Sequence, residues 1–190
     1  MSLVSIVARN TWISIMTDGR CTSGNEIISE DHQKFVLLSE NRFIAYGGDK
    51  DRCELVVRAM QELGHVQREL EDSARHMAGL IQNIGQRGFE LFMATGGFGP
   101  IGAEVYGFST KSHQPTILKP NSDELRFVLL SSDNVCEQDL NTELVKLIKK
   151  YGDTNPAEVQ KAQVDLNSWV AQVDRTVNTT IFSRILRAST

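Results

Sequence analysis

Taken singly, the residues of this chain whose types could do chemistry have bland readings. Ser2 places a hydroxyl directly after Met1, as many chains do. Asp18-Gly19 fits the centre of a type I′ hairpin turn, and Lys34 fits a snorkelling lysine on an edge strand. Gly48 fits a glycine leading into a helix, and His32 fits an exposed imidazole beside Asp31. Cys21, Cys53 and Cys136 are odd in number and far apart, which reads as reduced thiols with neither a disulfide framework nor metal-ligand spacing. The run Gly96-Gly97-Phe98-Gly99-Pro100 lacks the Lys-Ser/Thr ending of a phosphate-binding loop and is read as turn chemistry. Glu69, Glu71 and Asp72 beside Arg68 and Arg75 read as a solvated helix face, and Trp12 and Trp169 as packing residues.

Composition narrows the classes. A chain of 190 residues with 41% apolar and 23% charged side chains has the balance of one globular domain with a substantial core. A formal charge of −4 argues against nucleic acid, whose phosphates need a basic face. No apolar run approaches the roughly eighteen residues of a membrane span, and no charged-then-apolar leader points to secretion, so the expectation is a cytoplasmic protein away from membranes. Met1-Ser2-Leu3 matches a tripeptide left by expression vectors and is read as either native or such a scar.

The elements that must position these residues follow from periodicity. Val4 to Ala8 and Trp12 to Met16 read as paired strands, followed by a loop or second hairpin across Asp18-Gly19 and Ser23-Gly24-Asn25. Lys34 to Leu38 and Phe43 to Tyr46 read as another hairpin. Asp49 caps a helix running to about Leu63, with Leu55, Val56, Ala59, Met60 and Leu63 on its apolar side. A second helix covers Glu69 to Ile84. Strands follow at Phe89 to Thr95, Glu104 to Ser109, Thr116 to Leu118 and Arg126 to Leu130. Two further helices are predicted, from Val135 to Tyr151 and from the Asn155-Pro156 cap through Val173, the first closed by Lys146, Lys149 and Lys150. Thr180 to Leu186 ends the chain as a strand. Hairpins with helices arriving in pairs predict an α+β fold, two packed antiparallel sheets covered by helices on both outer faces.

The run WISIMTDGRCTSGNEIISEDHQKF, followed by FIAYGGDKDRCELVVRAM, resembles the opening of a proteasome β-type subunit. With Ser2 in the place of the family's N-terminal threonine, Asp18, Arg20, Lys34 and Gly48 fall without a gap on its acidic residue, arginine, catalytic lysine and oxyanion-hole glycine. The likeness returns at VDRTVNTTIFSRIL, where Asp174 matches the family's acidic position while Val177 and Asn178-Thr179 replace its serine and glycines. Ser131 and Ser132 both remain candidates for the family's mid-chain serine. Recognisable similarity covers about half the chain.

The resemblance implies a four-layer αββα sandwich of the N-terminal-nucleophile (Ntn) hydrolase type, with residues 1–190 as one domain and neither metal nor organic cofactor. It implies peptide-bond hydrolysis. Ser2 would attack the peptide carbonyl with its own α-amine as base, which has an ordinary pKa near 7.7–8. Lys34 would favour the deprotonated hydroxyl, Asp18 would orient Lys34, the Gly48 N–H would hold the oxyanion, and Arg20 and Asp174 would support the site. Cys21, His32, Tyr46 and Lys50 match positions of the family's substrate pocket. The family's ring-forming habit implies a homo-oligomer, and an ATPase partner is left open. Two other functions suit the same residues: a catalytically silent structural or assembly subunit, and an amidase acting on a small molecule.

Overall fold

The structure is a computed structural model and describes residues 2–23, 26–64, 68–131 and 134–188. Strands β1 (Val4–Arg9) and β2 (Trp12–Asp18) form a hairpin with Arg9 opposite Trp12 and Val4 opposite Thr17. The strands β10 (Arg126–Leu130) and β11 (Ile181–Arg187) complete an antiparallel sheet in the order β10-β1-β2-β11. Five more strands run antiparallel in chain order as a second sheet: β5 (Phe35–Ser39), β6 (Arg42–Gly48), β7 (Leu91–Gly99), β8 (Gly102–Ser109) and β9 (Ser112–Leu118). A short hairpin of β3 (Cys21–Ser23) and β4 (Glu26–Ser29) stands apart from both.

The two sheets bury their facing sides in one apolar cluster that includes Val4, Ile6, Ala8, Ile13, Ile15, Phe43, Ala45, Ala94 and Val105. Helices α1 (Lys50–Glu62) and α2 (Leu70–Gly85) pack on the outer face of the five-stranded sheet, joining Val56, Met60, Met77 and Ile81 to Ile44, Tyr46 and Met93. Helices α3 (Glu137–Tyr151) and α4 (Pro156–Val173) cover the other sheet, where Leu144, Leu166 and Val170 meet Val7 and Trp12. β1 and β2 are therefore buried on both faces, which is why their sequence reads as near-continuous apolar runs rather than alternation. Where a polar residue falls on the α4 side it is satisfied there: Gln163 donates to the Ser5 carbonyl and hydroxyl and accepts from Ser14 Oγ at 2.6 Å.

Several expectations need correction. The apolar stripe of α1 is Cys53, Val56, Val57 and Met60, while Leu55 and Leu63 are exposed. The expected stripe omitted Cys53 and Val57, which the structure buries. Val173, the last residue of α4, is also exposed. Gly96 to Gly99 is not a turn but the second half of β7, paired through Gly97–Glu104 and Gly96–Phe43. A Cβ on Gly97 would lie 2.2 Å from the Asn41 carbonyl oxygen and one on Gly96 2.7 Å from that of Glu104, so these glycines admit close backbone approach within the sheet. Of the loop or second hairpin expected after β2, the structure has the hairpin, β3 with β4.

Candidate functional site

The ends of four elements converge on one hollow of about 470 Å³ lined by Ser2, Arg20, Cys21, His32, Lys34, Tyr46, Gly48 and Lys50 among others. Ser2 stands just before β1, the 18–21 segment follows β2, Lys34 immediately precedes β5, and Gly47-Gly48 ends β6. The register of the sheets fixes this meeting: Leu3 accepts from the Asp18 N–H across the β1–β2 end, and Tyr46 N–H donates to the Lys34 carbonyl at 2.9 Å. Ser2 and Leu3 are built into the fold, only 4% and 2% exposed.

Behind the hollow lies a buried ion pair. Lys34 Nζ is 2.7 Å from Asp18 Oδ1, with the aspartate side chain fully buried and the lysine nearly so. The same carboxylate accepts from the Leu3 N–H through Oδ1 and from the Arg20 N–H through Oδ2, both at 2.9 Å. Its lone pairs are thus aimed by backbone as well as by the ammonium, the condition under which a buried pair is tolerated. Burial pulls the Lys34 pKa below that of a free lysine, and the Asp18 charge partly restores it. The single-residue readings fail here. Gly19 does not have the positive φ of a type I′ turn, and Lys34 is buried rather than snorkelling.

Gly48 does lead into α1, with φ +100, and a Cβ there would lie 2.3 Å from the Glu90 carbonyl oxygen. Asp49 caps the helix by accepting from the Arg52 N–H. A second cleft of about 560 Å³ borders Gly48 from the other side and includes Ser131, Cys136 and Lys111. Ser131 follows Leu130, the partner of Val4, so it stands at the same end of the four-stranded sheet as the Ser2–Leu3 segment. Ser132 lies outside the described residues.

Among the pocket residues, His32 is part-buried, its Nε2 3.4 Å from the Tyr46 hydroxyl and 3.9 Å from Glu54 Oε1. It is not the exposed imidazole of the bland reading. Burial, reinforced by the Lys50 charge, lowers its pKa. Burial raises the Cys21 thiol despite the pull of Lys34 and Lys50, and pushes the Tyr46 phenol up to about 12. All three shifts favour the neutral form near pH 7. Among the described residues no group of three or more His, Cys, Asp or Glu side chains is placed to hold a metal ion.

Asp174 is buried but does not line the hollow. It ends α4 and accepts from the Thr176 N–H, the Thr176 hydroxyl and Asn134 Nδ2. The residue that reaches the site from this segment is Asn178, which sequence comparison registers only as a lost glycine. Its Oδ1 accepts from the Gly19 N–H at 3.0 Å, and its Nδ2 donates to the Glu30 carbonyl and to Glu30 Oε2. Glu30 in turn takes a two-pronged bond from Arg20, both contacts at 3.0 Å, and Arg20 also donates to the Arg175 carbonyl. This clasp ties the Gly19–Arg20 segment that follows Asp18 to Glu30 and to the 175–178 segment. Glu30 and Asn178 carried no sequence signal, since their partners lie 10 and 159 residues away. Val177 points into the α3–α4 core that also contains Leu3.

No family model and no curated protein matches this sequence. Comparison with solved structures finds the crystal structure of eukaryotic HslV from Trypanosoma brucei at a TM-score of 0.71 and 13% identity, covering 98% of this chain and 99% of that one. At that identity the likeness concerns the fold alone, and it extends through the middle of the chain, where the sequences had ceased to resemble one another. Among the described residues no helix is long and apolar enough to cross a membrane.

Proposed function

We propose that this chain, on the proteasome-type fold it shares with the trypanosomal HslV, hydrolyses peptide bonds with Ser2 as an N-terminal nucleophile. We read the packing as a four-layer αββα sandwich forming one domain. The observation that carries the activity is the buried Lys34–Asp18 pair at the wall of the hollow that Ser2 and Gly48 also line. A purely structural lysine has little reason to be dehydrated beside an open hollow, because burial of the pair is at best neutral for stability.

Removal of Met1 frees the Ser2 α-amine, which takes the proton from Ser2 Oγ as that oxygen attacks the carbonyl carbon. The Lys34 ammonium stabilises the oxygen as it loses the proton and keeps the nearby amine neutral. The Gly48 N–H receives the negative charge that develops on the carbonyl oxygen. Collapse of the tetrahedral adduct breaks the C–N bond, and the amine's proton passes to the leaving nitrogen. Water, deprotonated by the same amine, then attacks the Ser2 ester and releases the acid.

The test is the intact mass of the natural gene product before and after a peptide epoxyketone, which closes a ring only on a hydroxyl and free α-amine of one residue. Loss of Met1 with a stoichiometric adduct, absent in Lys34→Ala, is expected. A processed Ser2 that gives neither adduct nor peptide hydrolysis would sink the reading. A second reading, a silent structural subunit, draws on one observation: Val177 is packed into the core and Asn178 is committed to the clasp, so neither offers the hydroxyl or glycine flexibility of the family's pattern. A retained Met1 in an assembled particle would favour it.

A further inference from the structure

We infer that Cys53 is a positioning residue for the oxyanion site, its thiol holding the Gly47–Gly48 peptide so that the Gly48 N–H faces the hollow; this rests on the peptidase reading above. Cys53 lies in the first turn of α1, fully buried, and its Sγ donates to the Gly47 carbonyl oxygen at 3.3 Å. In a planar trans peptide the C=O and the following N–H point in opposite directions. Whatever fixes the Gly47 oxygen therefore fixes the Gly48 hydrogen.

The ladder says where that hydrogen points. Along an antiparallel strand, residues two apart present their N–H to the same edge. Tyr46 donates to Lys34 on the β5 edge, so Gly48 presents its N–H to that edge one step further on. β5 begins only at Phe35, so no strand lies opposite Gly48 there, and the space is the hollow lined by Lys34 and His32. The strand conformation ends at Gly48 itself, whose φ is +100, and the next residue, Asp49, donates to the Glu90 carbonyl on the β7 edge.

Two consecutive glycines weaken the local hold on this peptide, and the thiol adds to the restraint that β7 supplies where Gly47 stands opposite Phe92. Space forces the glycines: a Cβ on Gly47 would lie 2.2 Å from the Phe92 ring and 3.1 Å from the Ser2 Cβ. Cys53 suits the restraining role. Burial pushes its thiol well above the ordinary range, so it remains an S–H donor rather than a thiolate that would repel the carbonyl. It is too enclosed to act as a nucleophile itself.

The experiment compares Cys53→Ala and Cys53→Ser with wild type in the processed full chain. The readouts are kcat, KM and affinity for a peptide aldehyde, whose adduct oxygen occupies the oxyanion position, against the same peptide as an unreactive amide. Cys53→Ala is expected to lower kcat and aldehyde affinity by about 3- to 10-fold, less than outright loss of an oxyanion donor, with KM and amide affinity unchanged. Cys53→Ser, which keeps a donor, is expected to restore most of both. Equal kcat and aldehyde affinity in all three proteins would overturn the inference, as would losses in both variants that follow their melting temperatures. The 13C shift of the Gly47 carbonyl supplies a readout independent of activity, expected to move in Cys53→Ala and to stay near wild type in Cys53→Ser. If wild type neither hydrolyses peptide nor forms an adduct, the peptidase reading fails. The carbonyl shift still decides whether the thiol holds this peptide, and an unmoved shift in Cys53→Ala overturns that claim.

Discussion

Lys34 and Asp18 illustrate how much a single residue's meaning depends on what surrounds it. Neither is remarkable in the sequence, yet each is the other's reason for being buried. Lys34→Ala leaves a buried carboxylate without its counter-charge and should cost about 3–5 kcal/mol in chemical denaturation, a large effect for one side chain. The double variant Lys34→Ala/Asp18→Asn should recover part of that loss, because no uncompensated charge remains. His32 allows a test by titration. Burial and the Lys50 charge depress its pKa, so an NMR midpoint below about 6.5 is expected, and Lys50→Glu should raise it. The sign for stability follows. Between the depressed folded value and the unfolded one the unfolded chain binds more protons, so the contribution is complete above the unfolded pKa and is lost as pH falls through the folded one. His32→Gln should flatten that acid limb in denaturation measured against pH.

At the scale of elements, helices with caps were legible and glycine-rich strands were not. Asn155-Pro156 and Asp49 marked true helix starts, because a side-chain acceptor at the cap is a local matter. β7 was truncated in the sequence reading because Gly96, Gly97 and Gly99 satisfy the composition of a turn. Their actual causes are close approaches that only the folded sheet creates: the Asn41 carbonyl of the β5–β6 turn at Gly97, and the carbonyl and carboxylate of Glu104 in β8 at Gly96 and Gly99. The contrast can be measured. Gly97→Ala should destabilise by about 1–3 kcal/mol through overpacking. Gly79→Ala, in exposed α2 where a Cβ meets nothing within 4 Å, should stabilise by about 0.5–1 kcal/mol. The clasp is a second case of distance hiding a role. Asn178→Ala leaves the Gly19 N–H only the Thr180 carbonyl and removes the amide donor from Glu30, and should cost about 1–3 kcal/mol in denaturation and lower any peptidase kcat.

Considered whole, the molecule's architecture was readable from the alternation of paired helices with runs of strands, and the candidate site from five residues in one ungapped register. The pairing β10-β1-β2-β11 was not readable, since it joins elements from both ends of the chain and no local pattern encodes it. Assembly belongs to this scale too. If the chain works as a ring, as its family resemblance implies, sedimentation should give a multiple of the 21.2 kDa subunit, and a monomer would overturn that expectation. The same strand order also bears on timing. Asp18 precedes by most of the chain's length both Asn178 and the Ile181 that pairs with it, so it leaves the ribosome long before they do. A nascent chain can form the β1–β2 hairpin early but cannot enclose Asp18 until its final strand has been released. Under the proposed peptidase function, a half-made copy would lack a finished site, and the closing of the fold would serve as the safety catch.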